Sequence, residues 1–223
     1  ASEDIERRVD GAAERFYGQI ETSVSNATGS LDQANKTFQS VISSTAGDLD
    51  VDVLINNAGL GLVGPMASVP LADVRRSFEI NVFGMVAMSQ AVIPGMRERG
   101  WGRIINVSSV AGILASPLGS PYSMTKHAVE AFTKSLRAEL APHGIDVTKV
   151  NPGPYDTGFN DVMVNGAADY IEDGDAATTE IHTVVRQIIL TDQLDPSEVS
   201  NTLADLVEAD ETPLETYLPE GIR

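Results

Sequence analysis

The 223-residue sequence predicts an α/β domain built on a doubly wound parallel sheet. Two observations carry this reading. From residue 30 to 153, helical and strand-type segments alternate without a break, and the three clearest strands all run into small or hydrogen-bonding residues. Such alternation marks parallel βαβ units, whose strands are covered by helices on both faces and read as nearly continuous apolar runs.

The elements follow in order. "SEDIERRVDGAAERFYG" reads as an amphipathic helix, with Ile5, Val9, Ala12 and Phe16 on one face. "QIETSV" alternates as a short strand does. "SLDQANKTFQSVISSTAG" is a second helix, with Ser30 placed to cap it and Gly47 near its end. "VDVLINNAG" is a strand entering a polar turn, and the stretch from Leu71 to Gly100 is one long helix. "GRIINVSS" is a buried strand, "YSMTKHAVEAFTKSLRAEL" a helix, and "GIDVTKVNPG" a third strand. Beyond Pro154 the pattern loosens, then tightens into helices near 180–190 and at "PSEVSNTLADLVEAD", where Ser197 is placed to cap.

Composition narrows the function classes. The absence of cysteine excludes disulfides and thiolate metal sites. No apolar run approaches the roughly 18 residues of a membrane span, and no leader pattern opens the chain, so the expectation is a soluble cytoplasmic protein. Thirty-two acids against fifteen bases give a net charge of −17, which disfavours nucleic acid and anionic lipid as partners. An acidic, lysine-poor surface also matches a halophilic cytoplasm, and a plain acidic bias explains it equally well. The three histidines, His127, His143 and His182, lack metal-ligand spacing, so no metal is expected.

In open α/β sheets, ligands bind beyond the carboxyl ends of the strands. The three strand ends here are "NNAG" (56–59), "VSS" (107–109) and "NPGPYDT" (151–157), and the helix after the second strand opens near Tyr122. Parallel strands bring these segments to one crevice. Tyr122 and Lys126 lie one helical turn apart, close enough for the ammonium to favour phenolate. Ser109 offers a hydroxyl for a substrate oxygen. The set fits proton transfer at a carbinol or carbonyl. A serine hydrolase is the rival chemistry, but the sequence has no G-x-S-x-G elbow.

Five motifs in order, "NNAG", the Asn81 of "FEINVFG", the Ser109 of "NVSSVAG", "YSMTK" and "NPGPYDT", make the chain resemble the short-chain dehydrogenases/reductases. The spacings of 28 residues from Asn81 to Ser109 and 13 from Ser109 to Tyr122 agree with it. The resemblance implies a Rossmann-like domain over 1–223, with a substrate lid at 154–190. It implies an oxidoreductase interconverting an alcohol and a ketone or aldehyde with NAD or NADP. Tyr122 would be the general acid/base and Ser109 would orient the substrate oxygen. Lys126 would tune the tyrosine and hold the nicotinamide ribose, and Asn81 would anchor a water of the proton relay. Cofactor contacts would come from Asn26, Asn57, Ala58, Gly59, Tyr122, Lys126, Pro152, Gly153, Tyr155 and Thr157. The lid's Phe159, Met163, Val164 and Tyr170 point to a small, non-polar substrate. Pairing of the helices 71–99 and 122–140 between subunits would give a homodimer or homotetramer, although Phe83, Met85, Met88, Phe132 and Leu136 fit a core equally well.

The family's opening strand and TGxxxGxG turn are not in this sequence, and residue 1 aligns just after the family's second strand. About one βαβ unit is therefore expected to be missing from the sheet. A fragment of a longer enzyme, a natural truncation and a rebuilt N-terminal segment are the three explanations. Two other functions stay open: a dehydrogenase-like module that binds no dinucleotide, and a nucleotide-free lyase of the halohydrin dehalogenase type. Lys126 favours the dehydrogenase, because the lyases resemble it with an arginine there.

Overall fold

The structure, a computed structural model, describes residues 50–221. They belong to the second of two units into which the chain divides, Ala46–Arg223. The expected helices at 2–18 and 30–47 and the strand at 19–24 lie outside the described residues.

Four parallel strands stand side by side in chain order: β1 (Val53–Asn56), β2 (Gly102–Val107), β3 (Ile145–Pro152) and β4 (Glu215–Leu218). The first three are those the sequence predicts. The fourth, "ETYL", lies beyond the last element read from the sequence; its β-favouring Thr216 and Tyr217 pair with Val150 and Asn151.

The expected long helix is present but interrupted. It runs as α1 (Leu71–Phe78), a π-helical turn (Glu79–Phe83) and α2 (Gly84–Arg99), and ends at Gly100, whose φ of 70° suits a residue without Cβ. The wide turn buries both Asn81 and Val82. Such turns occur often at functional sites. Next come α3 (Ser120–Leu140), α4 (Phe159–Gly166), α5 (Ala176–Leu190) and α6 (Ser197–Glu208). Ser197 does not cap α6: its N–H and hydroxyl both donate to the Asp195 carboxylate, at 2.8 and 2.6 Å, so Asp195 supplies the accepting oxygen at that end.

The two faces of the sheet follow the strand period of two. On one face Leu54, Ile104, Ile145 and Val147 pack against Val92 and Met96 of α2 and Leu136 and Leu140 of α3. On the other, Ile105, Val150 and Leu218 pack with Tyr155 and Leu206 of α6. Arg103 shares that second face and donates to the Leu206 and Val207 carbonyls at 2.6 and 2.9 Å. Met85 and Leu136 are buried, and Met88 and Phe132 pack on the first core, whereas Phe83 is exposed.

Under α3 the sheet changes character along its length. The same alternate positions that carry Ile104 and Val147 carry Asn106 and Lys149 one step on, then Ser108 and Asn151. The apolar floor becomes polar toward the carboxyl ends. All of these polar side chains are buried, so each needs a partner.

Candidate active site

At the end of β1, Asn56 is structural: its amide donates to Asn106 Oδ1 at 2.8 Å and to Ser89 Oγ of α2 at 3.3 Å. Asn57, Ala58 and Gly59 are exposed. The π-helical turn then aims Asn81 at the loop that follows. Its Oδ1 accepts from the Leu60 N–H and its Nδ2 donates to the Leu60 carbonyl, both at 2.8 Å, and Nδ2 also reaches Thr125 Oγ1 of α3 at 3.1 Å. Asn81 thus welds the β1 loop to the helix that carries Tyr122 and Lys126.

The first two turns of α3 bury Tyr122 and Lys126, at 8% and 6% exposure. Lys126 Nζ donates to the Val107 carbonyl at 2.9 Å and stands 5.7 Å from the centre of the Tyr122 ring. A Cβ on Gly59 would lie 3.3 Å from Asn81 Oδ1 and 4.0 Å from Lys126 Nζ, so the exposed strand end and the ammonium border one space. Ser109, at the β2 end, accepts from the Ala111 N–H at 3.1 Å and reaches the Pro152 carbonyl at 3.5 Å.

Burial decides the protonation of both groups. It raises the Tyr122 phenol to about 12, with the Ser109 hydrogen bond acting in the other direction. It lowers Lys126 to about 8, against the pull of the Glu130 carboxylate. Burial is thus the largest influence on the phenol, and the opposing influence comes from Ser109.

The remaining predicted residues are distributed around this centre. Pro152 and Gly153 continue β3, and the Gly153 N–H donates to the Leu218 carbonyl at 2.8 Å. Tyr155 turns its side chain into the second core, with its hydroxyl 2.6 Å from Glu198, and its carbonyl accepts from Asn160 Nδ2 at 3.2 Å. Thr157 is exposed. Asn26 lies outside the described residues. Of the four lid aromatics and aliphatics, Phe159 meets the Tyr122 ring at 5.9 Å between centroids, and Met163 and Val164 join the same cluster with Val63. Tyr170 belongs to a different cluster: it packs on Leu62, Val69 and Val74 and donates to Asp73 at 3.2 Å.

The sequence reading missed Glu130, Lys149 and Glu215. Lys149 Nζ lies 2.6 Å from Glu130 and 2.9 Å from Glu215, fully buried beneath the site. The available signal was the alternate polar pair closing each strand, Asn106 and Ser108 in "GRIINVSS" and Lys149 and Asn151 in "GIDVTKVNPG".

Strand order, flanking helices and a polar crevice beyond the strand ends define a Rossmann-like α/β protein. More narrowly, the chain belongs to the short chain dehydrogenase family, whose model matches residues 2–168. It is 41% identical over 126 residues to the uncharacterized oxidoreductase YusZ of Bacillus subtilis, covering 56% of this chain and 44% of that protein. It is 35% identical over 150 residues to an NADPH-dependent 3-dehydrocapnine reductase of Ornithobacterium rhinotracheale, covering 65% and 52%. The crystal structure of a short-chain dehydrogenase from Streptomyces avermitilis superposes with a TM-score of 0.68 at 31% identity, over 81% of this chain and 67% of that one. The chain spans about half the length of these two sequence relatives. Among the described residues, no helix is long and apolar enough to cross a membrane.

Proposed function

We propose that the protein is an NAD(P)-dependent oxidoreductase that interconverts an alcohol and a ketone or aldehyde, with Tyr122, Ser109, Lys126 and Asn81 as its proton-transfer set. The observation that carries this is the convergence of a buried phenol, a buried ammonium and a hydroxyl beside an open strand end. A bound nicotinamide supplies or accepts the hydride. Asn57, Ala58 and Gly59 would line the ribose, together with Lys126; Pro152, Gly153, the Tyr155 backbone and Thr157 would meet the nicotinamide end. The fit rests on Gly59, where a side chain would crowd Asn81 and approach Lys126.

The chain's own residues handle the proton. Burial holds the Tyr122 phenol protonated, so in the reductive direction it is the proton donor. Its proton passes to the carbonyl oxygen as that oxygen gains charge, and the Ser109 hydroxyl holds the same oxygen. The phenolate left behind is stabilised by the Lys126 ammonium 5.7 Å from the ring centre. Asn81 anchors the loop and helix on either side of this path. Phe159 beside Tyr122 favours a small apolar carbonyl compound, and the segment 154–190 is the lid over it. A homodimer or homotetramer in a single-domain, cytoplasmic setting completes the reading.

The test is a calorimetric or fluorescence titration of the 223-residue chain with NADPH and with NADH. Saturable binding of at least one below about 1 mM supports the reading. No binding at millimolar cofactor overturns it for this chain.

A further inference from the structure

Beneath the proposed proton-transfer set lies a buried ion cluster that this set does not itself require. Glu130 follows Lys126 by one turn on the buried face of α3 and is 6% exposed. Its Oε1 accepts from Ser108 Oγ at 2.5 Å and from Asn151 Nδ2 at 2.6 Å, while Oε2 lies 2.6 Å from Lys149 Nζ. Asn151 Nδ2 also donates to the Ser109 carbonyl at 3.1 Å. One carboxylate therefore grips both the residue before Ser109 and the amide that holds the Ser109 backbone. Gly112 leaves room for it, since a Cβ there would stand 2.9 Å from both Glu130 Cγ and Ser108 Oγ.

Stability alone is a poor account of this arrangement. A buried ion pair gains little net free energy, because desolvation offsets attraction. Directional bonds from a serine and an asparagine to one oxygen instead fix geometry. Charge points the same way. Lys126 is faced by Tyr122 and Glu130 from its own helix, the Val107 carbonyl from β2, and Gly59 from the loop after β1. Among these, Glu130 is the anion that holds its proton on.

We propose that Glu130 is a positioning residue: it fixes Ser109 against the helix bearing Tyr122 and Lys126, and, as the buried carboxylate one turn along that helix from Lys126, it supplies that ammonium's counter-charge. The proposal rests on the proton-transfer reading above for its catalytic meaning, but its physical content is testable without turnover.

The experiment is NMR of the full chain labelled at lysine Cε, which carries only four lysines, comparing wild type with Glu130→Gln. The expected result is a folded variant whose Lys126 midpoint falls below its wild-type value by about one pH unit and whose Ser109 amide resonance moves. Ser108→Ala, which removes one arm of the grip and keeps the carboxylate, should move the Ser109 resonance with a smaller change at Lys126. It also serves if Glu130→Gln does not fold. With NAD(P)-dependent turnover, kcat should fall on the order of 10- to 100-fold in Glu130→Gln with KM little changed, and Glu130→Asp should recover part of it. An unmoved Lys126 midpoint and an unmoved Ser109 resonance in the folded variants overturn the proposal. Absence of turnover in the wild-type chain counts against the proposed function instead, and leaves the NMR comparison to decide Glu130.

Discussion

Lys126 and Lys149 are both buried on the α3 side of the sheet, at 6% and 0% exposure, yet they are held in opposite ways. Lys149 sits between two carboxylates. Burial pushes its pKa down, but hydrogen bonds and charge from Glu130 and Glu215 outweigh burial and hold it above the ordinary lysine value. Lys126 has one backbone carbonyl as its hydrogen-bond acceptor and only the longer-range pull of Glu130, and burial brings it to about 8. The difference teaches where the molecule spends stability. Deep in the sheet, charge is neutralised locally between fixed partners. At the strand ends, charge is left incompletely satisfied, which is the state an ammonium needs if it is to answer a phenolate or a ribose hydroxyl.

The comparison breaks most visibly at Lys149. Lys149→Met keeps the volume but leaves Glu130 and Glu215 without their ammonium, and it should cost about 3–5 kcal/mol in urea unfolding at pH 7. A change below about 0.5 kcal/mol would show that this lysine is not structural. The same substitution at Lys126 should act in the other direction. A pKa lowered from 10.5 to about 8 means that the folded state disfavours the ammonium. That penalty is fully present below pH 8 and fades as pH rises toward 10.5, where the unfolded chain also loses the proton. Lys126→Met should therefore stabilise the chain by roughly 2 kcal/mol at pH 7, after allowing for the lost bond to Val107, with the gain shrinking through the alkaline range. Cofactor affinity should fall in that variant. Destabilisation at pH 7 would place Lys126 in the same class as Lys149.

Much of this architecture is legible in the sequence, for reasons that differ by element. β1, β2 and β3 are apolar runs ended by glycine, asparagine and serine, and their parallel arrangement follows from the helices between them. Tyr122, Lys126 and Ser109 stand out because a core has no use for them at a strand end or a helix start, whereas Asn81, inside the long helix, is read only through the family resemblance. Three features are less visible. The π-helical turn at Glu79–Phe83 leaves no clear mark on an apolar, glycine-containing stretch, so the burial of Asn81 is a matter of helix phase. β4 is only four residues long and depends on β3 for its pairing. Glu130 and Glu215 look like solvated charges, because their partner lies in another strand and appears only when the sheet is assembled. The placement of the Tyr155 ring in the second core and of its hydroxyl on Glu198 is likewise not visible in "NPGPYDT", because its partners lie in a later helix.

The protonated phenol is the point on which the functional account turns. The most direct measurement is the initial rate of NADPH or NADH oxidation with a small apolar ketone by the wild-type chain and by Tyr122→Phe, both shown folded by circular dichroism. The account predicts measurable turnover in the wild type and a loss of at least about 1,000-fold in the variant, with cofactor binding retained. Equal rates in the two proteins would contradict it.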